Sequence, residues 1–218
     1  MDFYVSPNGN DSNPGTATEP FLTIQRAVDE VPNGGIGNIT LEPGTYDENV
    51  NCTYHKVYQI NGNGNKDNIV VNGYFWAQDN VILTLQNMSF KGVKSRQFAI
   101  LDYFNVNFLD NTGDFHVAAN EMSKINNLGN VHILGNAAGH MIAGHNSVIL
   151  SSASITVPQP INLSYFAVSS RGSIIELGTV YTTGIYGMGM LGITGQRYAI
   201  DSTSIIGFDP NFYWGTLT

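Results

Sequence analysis

The feature that most constrains this chain is one helix-like stretch at its start, followed by nearly two hundred residues of strand-like sequence. Ile24, Ala27, Val28 and Val31 recur at i, i+3, i+4 and i+7 and so share one helical face, while Gln25, Arg26, Asp29 and Glu30 take the other. Thr23 stands where an N-cap belongs, and Asn33-Gly34-Gly35 is a stop. The pattern does not return downstream. A lone helix ahead of strand after strand is expected to be a lid on a β-structure, whose open end would otherwise leave unpaired backbone and apolar side chains in water.

The runs that follow are short, β-branched or aromatic, and bounded by Asn, Gly, Asp or Ser: VYQI at 57–60, NIVV at 68–71, NVILTL at 80–85, NMSF at 87–90, FAIL at 98–101, NVNFL at 105–109, NVHIL at 130–134, SVIL at 147–150, SITV at 154–157, YFAV at 165–168 and SIIEL at 173–177. They come roughly ten residues apart, and pairs of them recur at about 17 to 26 residues. That spacing suits a β-sandwich or a solenoid, and two features favour the solenoid. Asn80, Asn87, Asn105 and Asn130 each precede an apolar run, where stacked turns could align their amides, although Asn is also common in ordinary loops. Tight-hairpin pairs are few, chiefly Asn8-Gly9, Asn61-Gly62 and Asn72-Gly73. The fold expected is an all-β parallel β-helix over residues 1–180 with an N-terminal capping helix.

Composition narrows the partners. Charged residues are 12%, hydrophobic residues 42%, and there are 24 glycines, which suits a neutral-turned β-structure and not a disordered chain. A net charge of −8 with no long basic run argues against nucleic acid and anionic membrane as partners. Cys52 is the only cysteine, so neither an intrachain disulfide nor a cysteine metal cage can form. No apolar run approaches a membrane span, and MDFYVSPNGN lacks the regions of a secretion leader, so neither insertion nor a leader is expected.

Residues 181–218 change character, being rich in Gly, Tyr and Met. Ile185, Tyr186, Met188, Met190, Leu191 and Tyr213-Trp214 would make a large apolar patch on a single chain. Burial around a threefold axis is expected, the alternative being a last coil capped by its own tail.

The opening YVSPNGNDSNPGTATEPFLTIQRAVDEV resembles the N-terminal cap of right-handed parallel β-helix proteins of the pectate-lyase-like superfamily, through Tyr4, Val5, Ser6, Gly9, Asp11, Gly15, Thr16, Pro20, Phe21, Thr23, Ile24, Gln25 and Ala27. ITLEPGTYDENV at 39–50 is similar to the first coil of that superfamily. Near the end, Gly195, Arg197, Tyr198, Asn211, Phe212, Tyr213 and Gly215 resemble the closing pattern of phage and prophage tail β-helix proteins. The cap is shared by lyases, hydrolases and non-enzymatic spikes. Together the resemblances imply a homotrimeric tail fibre or tailspike domain, made in the host cytoplasm and acting extracellularly in the virion tail. Its partners would be other virion tail proteins and a bacterial surface glycan.

Candidate chemistry lies mid-chain. Tyr74-Phe75-Trp76, followed by Gln78 and Asp79, offers aromatic faces for a sugar ring and polar groups for its hydroxyls. In a strand Phe75 is expected inside and Tyr74 and Trp76 outside, with Tyr103 nearby on a neighbouring coil. The glycan-binding set expected is Tyr74, Trp76, Asp79 and Tyr103. Glycoside hydrolysis needs two carboxylates, about 5 Å apart for retention or about 6.5–9.5 Å for inversion. Asp102, Asp110, Asp114 and Glu121 are the candidates, should stacked coils bring two of them together. Lyase chemistry is disfavoured, because the nine Lys and Arg are scattered and the one local group, Lys91, Lys94 and Arg96, reads as a solvated turn. His116, His132, His140 and His145 lack a ligand pattern and read as turn or core residues, so no metal or cofactor is expected. Binding without cleavage is the leading expectation, with a glycan depolymerase and a purely structural trimeric spacer as alternatives.

Overall fold

Alternating burial along each strand run is satisfied by pairing in parallel with the run one circuit later. The computed structural model describes residues 1–177 except Pro160, with all their side chains but that of Thr112; beyond residue 177 it describes the backbone strands at 180–182, 185–193, 197–200, 205–206 and 214–217. A cap of β1 (Asp2–Val5) and α1 (Ile24–Glu30) precedes the coils. The first coil is β2 (Ile36–Leu41), β3 (Gly44–Tyr46) and β4 (Val50–Cys52), and the second is β5 (Val57–Gly62) and β6 (Ile69–Ala77). The third is the single long β7 (Ile82–Ser95), and the fourth is β8 (Ile100–Phe108) and β9 (Asn111–Ala119). The fifth is β10 (Lys124–Asn127), β11 (Val131–Ile133) and β12 (Ala137–Ala143); the sixth is β13 (Val148–Ser151), β14 (Ile155–Val157) and β15 (Ile161–Ser170). Beyond them come β16 (Ile174–Leu177), β17 (Val180–Thr182) and β18 (Ile185–Ile193), then β19 (Arg197–Ile200), β20 (Ile205–Ile206) and β21 (Trp214–Leu217).

Pairing is parallel throughout, so the strands form three faces. Along the first face the register runs Ile36, Val57, Ile82, Ile100, Lys124, Val148, Ile174. Circuits therefore vary from 18 residues between Ile82 and Ile100 to 26 between Val148 and Ile174. The expected all-β parallel solenoid with one capping helix is the architecture observed.

The cap follows its sequence signals. Thr23 is the N-cap and accepts from Arg26 N, and Ile24, Ala27, Val28 and Val31 are buried. Glu48 of the first coil reaches back to the helix start, its two oxygens accepting from Ile24 N and Gln25 N at 2.8 and 2.9 Å. Asp11 fixes the preceding loop by accepting from Leu22 N, Thr23 N and the Thr23 hydroxyl. A carboxylate at a helix start satisfies orphan donors and the positive end of the dipole together.

Inside, like stacks on like. Phe75, Phe90 and Phe108 form an edge-on column with centroid separations of 5.6 and 5.2 Å. His116, His140 and Phe166 continue it into the fourth, fifth and sixth coils. The corner leading back to the first face is built from pairs of left-handed residues: Tyr54-His55, Asp79-Asn80, Gln97-Phe98, Glu121-Met122, His145-Asn146 and Arg171-Gly172. The second member of each pair donates its N–H to the first member one coil on, at 3.0 to 3.2 Å between His55 and Arg171. Left-handed backbone costs a residue with a side chain about 1–2 kcal/mol, and this repeated hydrogen-bond rail offsets that cost. Asn61, Asn87 and Asn105 form a second rail at another corner, each later amide donating to the one before at 2.9 and 2.7 Å, with Asn87 and Asn105 left-handed. The amide alignment is thus real for Asn87 and Asn105, while Asn80 belongs to the other corner.

In residues 181–218 the described strands keep the parallel pairing, β18 with β15 and β21 with β18. The apolar patch of Ile185, Tyr186, Met188, Met190, Leu191, Tyr213 and Trp214 is a matter of side chains that lie outside the described residues, as does the closing pattern around Gly195 and Arg197. Among the described residues no helix is long and apolar enough to cross a membrane.

Candidate carbohydrate-binding face

β6 alternates as its sequence requires: Phe75 is fully buried, while Tyr74 and Trp76 are half-buried on the outer surface of the third face. One coil on, Lys94 stands in register with Trp76. Its ammonium lies 4.6 Å from the Tyr74 ring centroid and 4.9 Å from that of Trp76, and 2.5 Å from Asp114 Oδ2. Arg96, two residues further, places its guanidinium 5.7 Å from the Trp76 ring and donates through Nε to Gln78 Oε1 at 2.7 Å. Each pairing is a cation held over an aromatic face.

The site spans three coils. Tyr74 donates its hydroxyl to Asn111 Oδ1, and Asn111 in turn donates to Phe115 O at 3.1 Å. Burial, then the nearby Asp114 carboxylate, pushes the Tyr74 hydroxyl up to about 12, so it remains a donor at neutral pH. Ala118 is in register with Lys94. Its short side chain leaves a cleft of about 150 Å³ walled by Trp76, Gln78, Lys94, Arg96 and Asn120. Gly92 is required beneath Tyr74, since a Cβ there would come within 2.9 Å of the tyrosine ring.

Of the other glycan candidates, Asp79 occupies the left-handed corner just beyond Gln78, at the rim. Tyr103 does not join the site. It is fully buried, its ring 5.5 Å from that of Phe108 and its hydroxyl without a partner. The reason is alternation: Asp102 points out of β8, so Tyr103 points in, and burial raises its hydroxyl pKa.

The four candidate carboxylates all fall within one circuit, and so they are spread around its perimeter instead of stacking. Asp102 is on the outer surface of the first face and accepts from Asn126 Nδ2 at 2.6 Å. Asp110 lies between β8 and β9 and accepts from Asn136 N at 2.6 Å. Asp114 pairs with Lys94, and Glu121 stands exposed at the left-handed corner. Only Asp114 reaches the aromatic site.

The histidines divide as core and turn. His116 and His140 are fully buried, with Nδ1 atoms 3.3 Å apart, whereas His145 sits at the exposed corner and His132 is half-buried on β11. Among the described residues no three His, Cys, Asp or Glu side chains gather as a metal site would need.

Sequence reasoning missed Lys94, Arg96 and Asn120 as members of the site. The signal was available: Lys94 and Arg96 are two apart in a run continuing from NMSF, so one strand would turn both outward.

With this geometry in hand, comparison with known proteins adds one match. Residues 7–68 match the model of a family described as "Protein of unknown function (DUF1565)". No curated protein matches the chain. The matched span holds α1, the first coil and β5. The parallel solenoid is consistent with the pectate-lyase-like superfamily that the opening of the chain resembles.

Proposed function

We propose that this protein is a phage or prophage tail β-helix domain that binds a bacterial surface polysaccharide on the outer surface of its third face, without cleaving it. The observation that carries the binding is the grouping of Tyr74, Trp76, Gln78, Lys94, Arg96, Asp114 and Asn120 over three adjacent coils around an open cleft. Aromatic faces bracketed by amides, cations and a carboxylate are what a hydroxyl-rich ring with apolar faces needs. The tail assignment, the homotrimer and the right-handed winding rest on the resemblance of the two ends of the chain. A tail location also suits this build, because a solenoid is a rigid rod whose outer surface is free to vary.

An array of bacterial surface polysaccharides tests the reading, with Trp76→Ala beside the native protein. The native chain is expected to retain at least one glycan, and Trp76→Ala to weaken it by several-fold to about tenfold, losing a ring contact of about 0.5–1.5 kcal/mol. Retention unchanged by Trp76→Ala would move the site elsewhere. A mass in solution of three chains by light scattering is expected, and a mass of one chain would remove the trimer.

A further inference from the structure

Resting on that reading, we infer that the glycan residue seated at Trp76 carries an anionic group, a sugar carboxylate, and that Arg96 is the residue that reads it. The chain as a whole is acidic, with a formal charge of −8 and only nine Lys and Arg. Lys94 and Arg96 nonetheless stand over this aromatic cleft, with Lys91 three residues before Lys94. The two cations are not equivalent. Lys94 is spoken for by Asp114 at 2.5 Å, and its ammonium sits between the Tyr74 and Trp76 rings.

Arg96 has no carboxylate partner among the described residues. Its one hydrogen bond, from Nε to Gln78 Oε1, orients the guanidinium and leaves the terminal nitrogens unengaged. The residue is exposed at the cleft wall, with its guanidinium carbon 5.7 Å from the Trp76 ring centroid. A planar fork held by one neutral amide, with free parallel donors, matches a carboxylate in two-pronged geometry. The indole edge and Ala118 then take the sugar ring, and the Gln78 and Asn120 amides lie within the same cleft for its hydroxyls. A neutral sugar would stack on Trp76 equally well but would leave this fork facing water.

The experiment uses the intact chain and an array carrying neutral oligosaccharides beside ones bearing uronate or sialate residues. Each acidic glycan retained is also presented with its carboxylates reduced to primary alcohols. Acidic glycans are expected to bind about tenfold or more tighter than their reduced forms, as befits a charge-assisted pair, and the gap is expected to close with rising salt. Arg96→Gln is expected to erase the gap by weakening the acidic forms about tenfold more than the reduced ones. Trp76→Ala should weaken both forms, and Lys124→Gln, on the first face, should change neither. Equal binding of acidic and reduced glycans would overturn the inference and leave the carbohydrate reading standing. A gap that survives Arg96→Gln would also overturn it, while no retention of any glycan would remove both.

Discussion

Two columns of residues run side by side along the third face, one position apart in the chain, and they obey different rules. The inner column is Cys52, Ala77, Ser95, Ala119, Ala143 and Ser169, all small and all buried. The outer column is Asn51, Trp76, Lys94, Ala118, Ile142 and Val168, in which no residue type recurs. Each inner side chain has neighbours above and below at the strand spacing of about 4.8 Å and the closed core on its remaining side, so its volume is fixed by what packs around it. The outer side chains have neighbours at the same spacing but border solvent on their far side, Ala118 and Val168 only at 7% and 6% exposure, so their volume is less constrained. A parallel solenoid thus separates the residues that hold it together from those that can meet a partner, at a distance of one peptide bond.

The comparison can be broken from the inside first. Phe108→Ala, at the meeting point of Phe90, Tyr103, His116 and His140, should lower the unfolding free energy by about 3–5 kcal/mol, read as a shift in denaturant midpoint with unchanged slope. A smaller loss would mean that the column closes over the gap.

Acid attacks the same column. His116 Nε2 is bonded to Leu109 O at 3.0 Å and so carries the proton there. Its Nδ1 must then accept from His140 Nδ1, which leaves His140 Nε2 an unprotonated, unpartnered nitrogen. Burial lowers the His116 pKa to about 4 and lowers that of His140, helped by the adjacent His116. The unfolded chain therefore binds more protons than the folded one between the two pKa values. Stability is full above about pH 6.5, the unfolded value, and falls as pH drops toward about 4, by roughly 3 kcal/mol from His116 alone. A denaturant midpoint flat across that window would show that the pair is not buried as neutral imidazoles.

A matched pair of substitutions sharpens the contrast. Ala119→Leu in the inner column should cost about 1–3 kcal/mol through overpacking. Ala118→Leu, its outward neighbour, borders the cleft although it is only 7% exposed; it should cost less than Ala119→Leu, yet fill the cleft and abolish glycan retention. Equal costs in thermal melts would deny that the two columns differ.

The smallest effect belongs to the corner. Phe98 is 56% exposed and left-handed, with φ of 63°. Phe98→Asn should raise stability by a few tenths to about 1 kcal/mol, because Asn adopts this conformation more readily. A lower melting temperature would mean that the exposed ring packs along the corner.

Much of this was legible in the chain. The capping helix, with its Thr23 cap and buried stripe, came from periodicity alone, and so did the outward placement of Tyr74 and Trp76 around Phe75. What was not legible has a common physical cause. β9, β10 and β12 are weighted toward Ala, Gly, His and Asn, with Thr112 and Val117, Ile125, and Ile142 as their few β-branched residues. They are strands because the neighbouring coils offer them a ladder. Circuit length varies between 18 and 26 residues, so no fixed period tells which residues will stack. That is why Asp102, Asp110, Asp114 and Glu121 looked like candidates for a pair when they are stations around a single loop of the spiral. It is also why Tyr103 seemed available to a sugar.

The left-handed pairs have one more consequence. They recur in every circuit from Tyr54-His55 to Arg171-Gly172, whatever the length of the rest. They act as a spine binding, like the stitched edge of a book whose pages differ in width. A whole circuit excised or grafted between two such pairs would keep the order of the remaining leaves, so lengthening this molecule, or exchanging its recognition surface, is a matter of inserting pages at that seam.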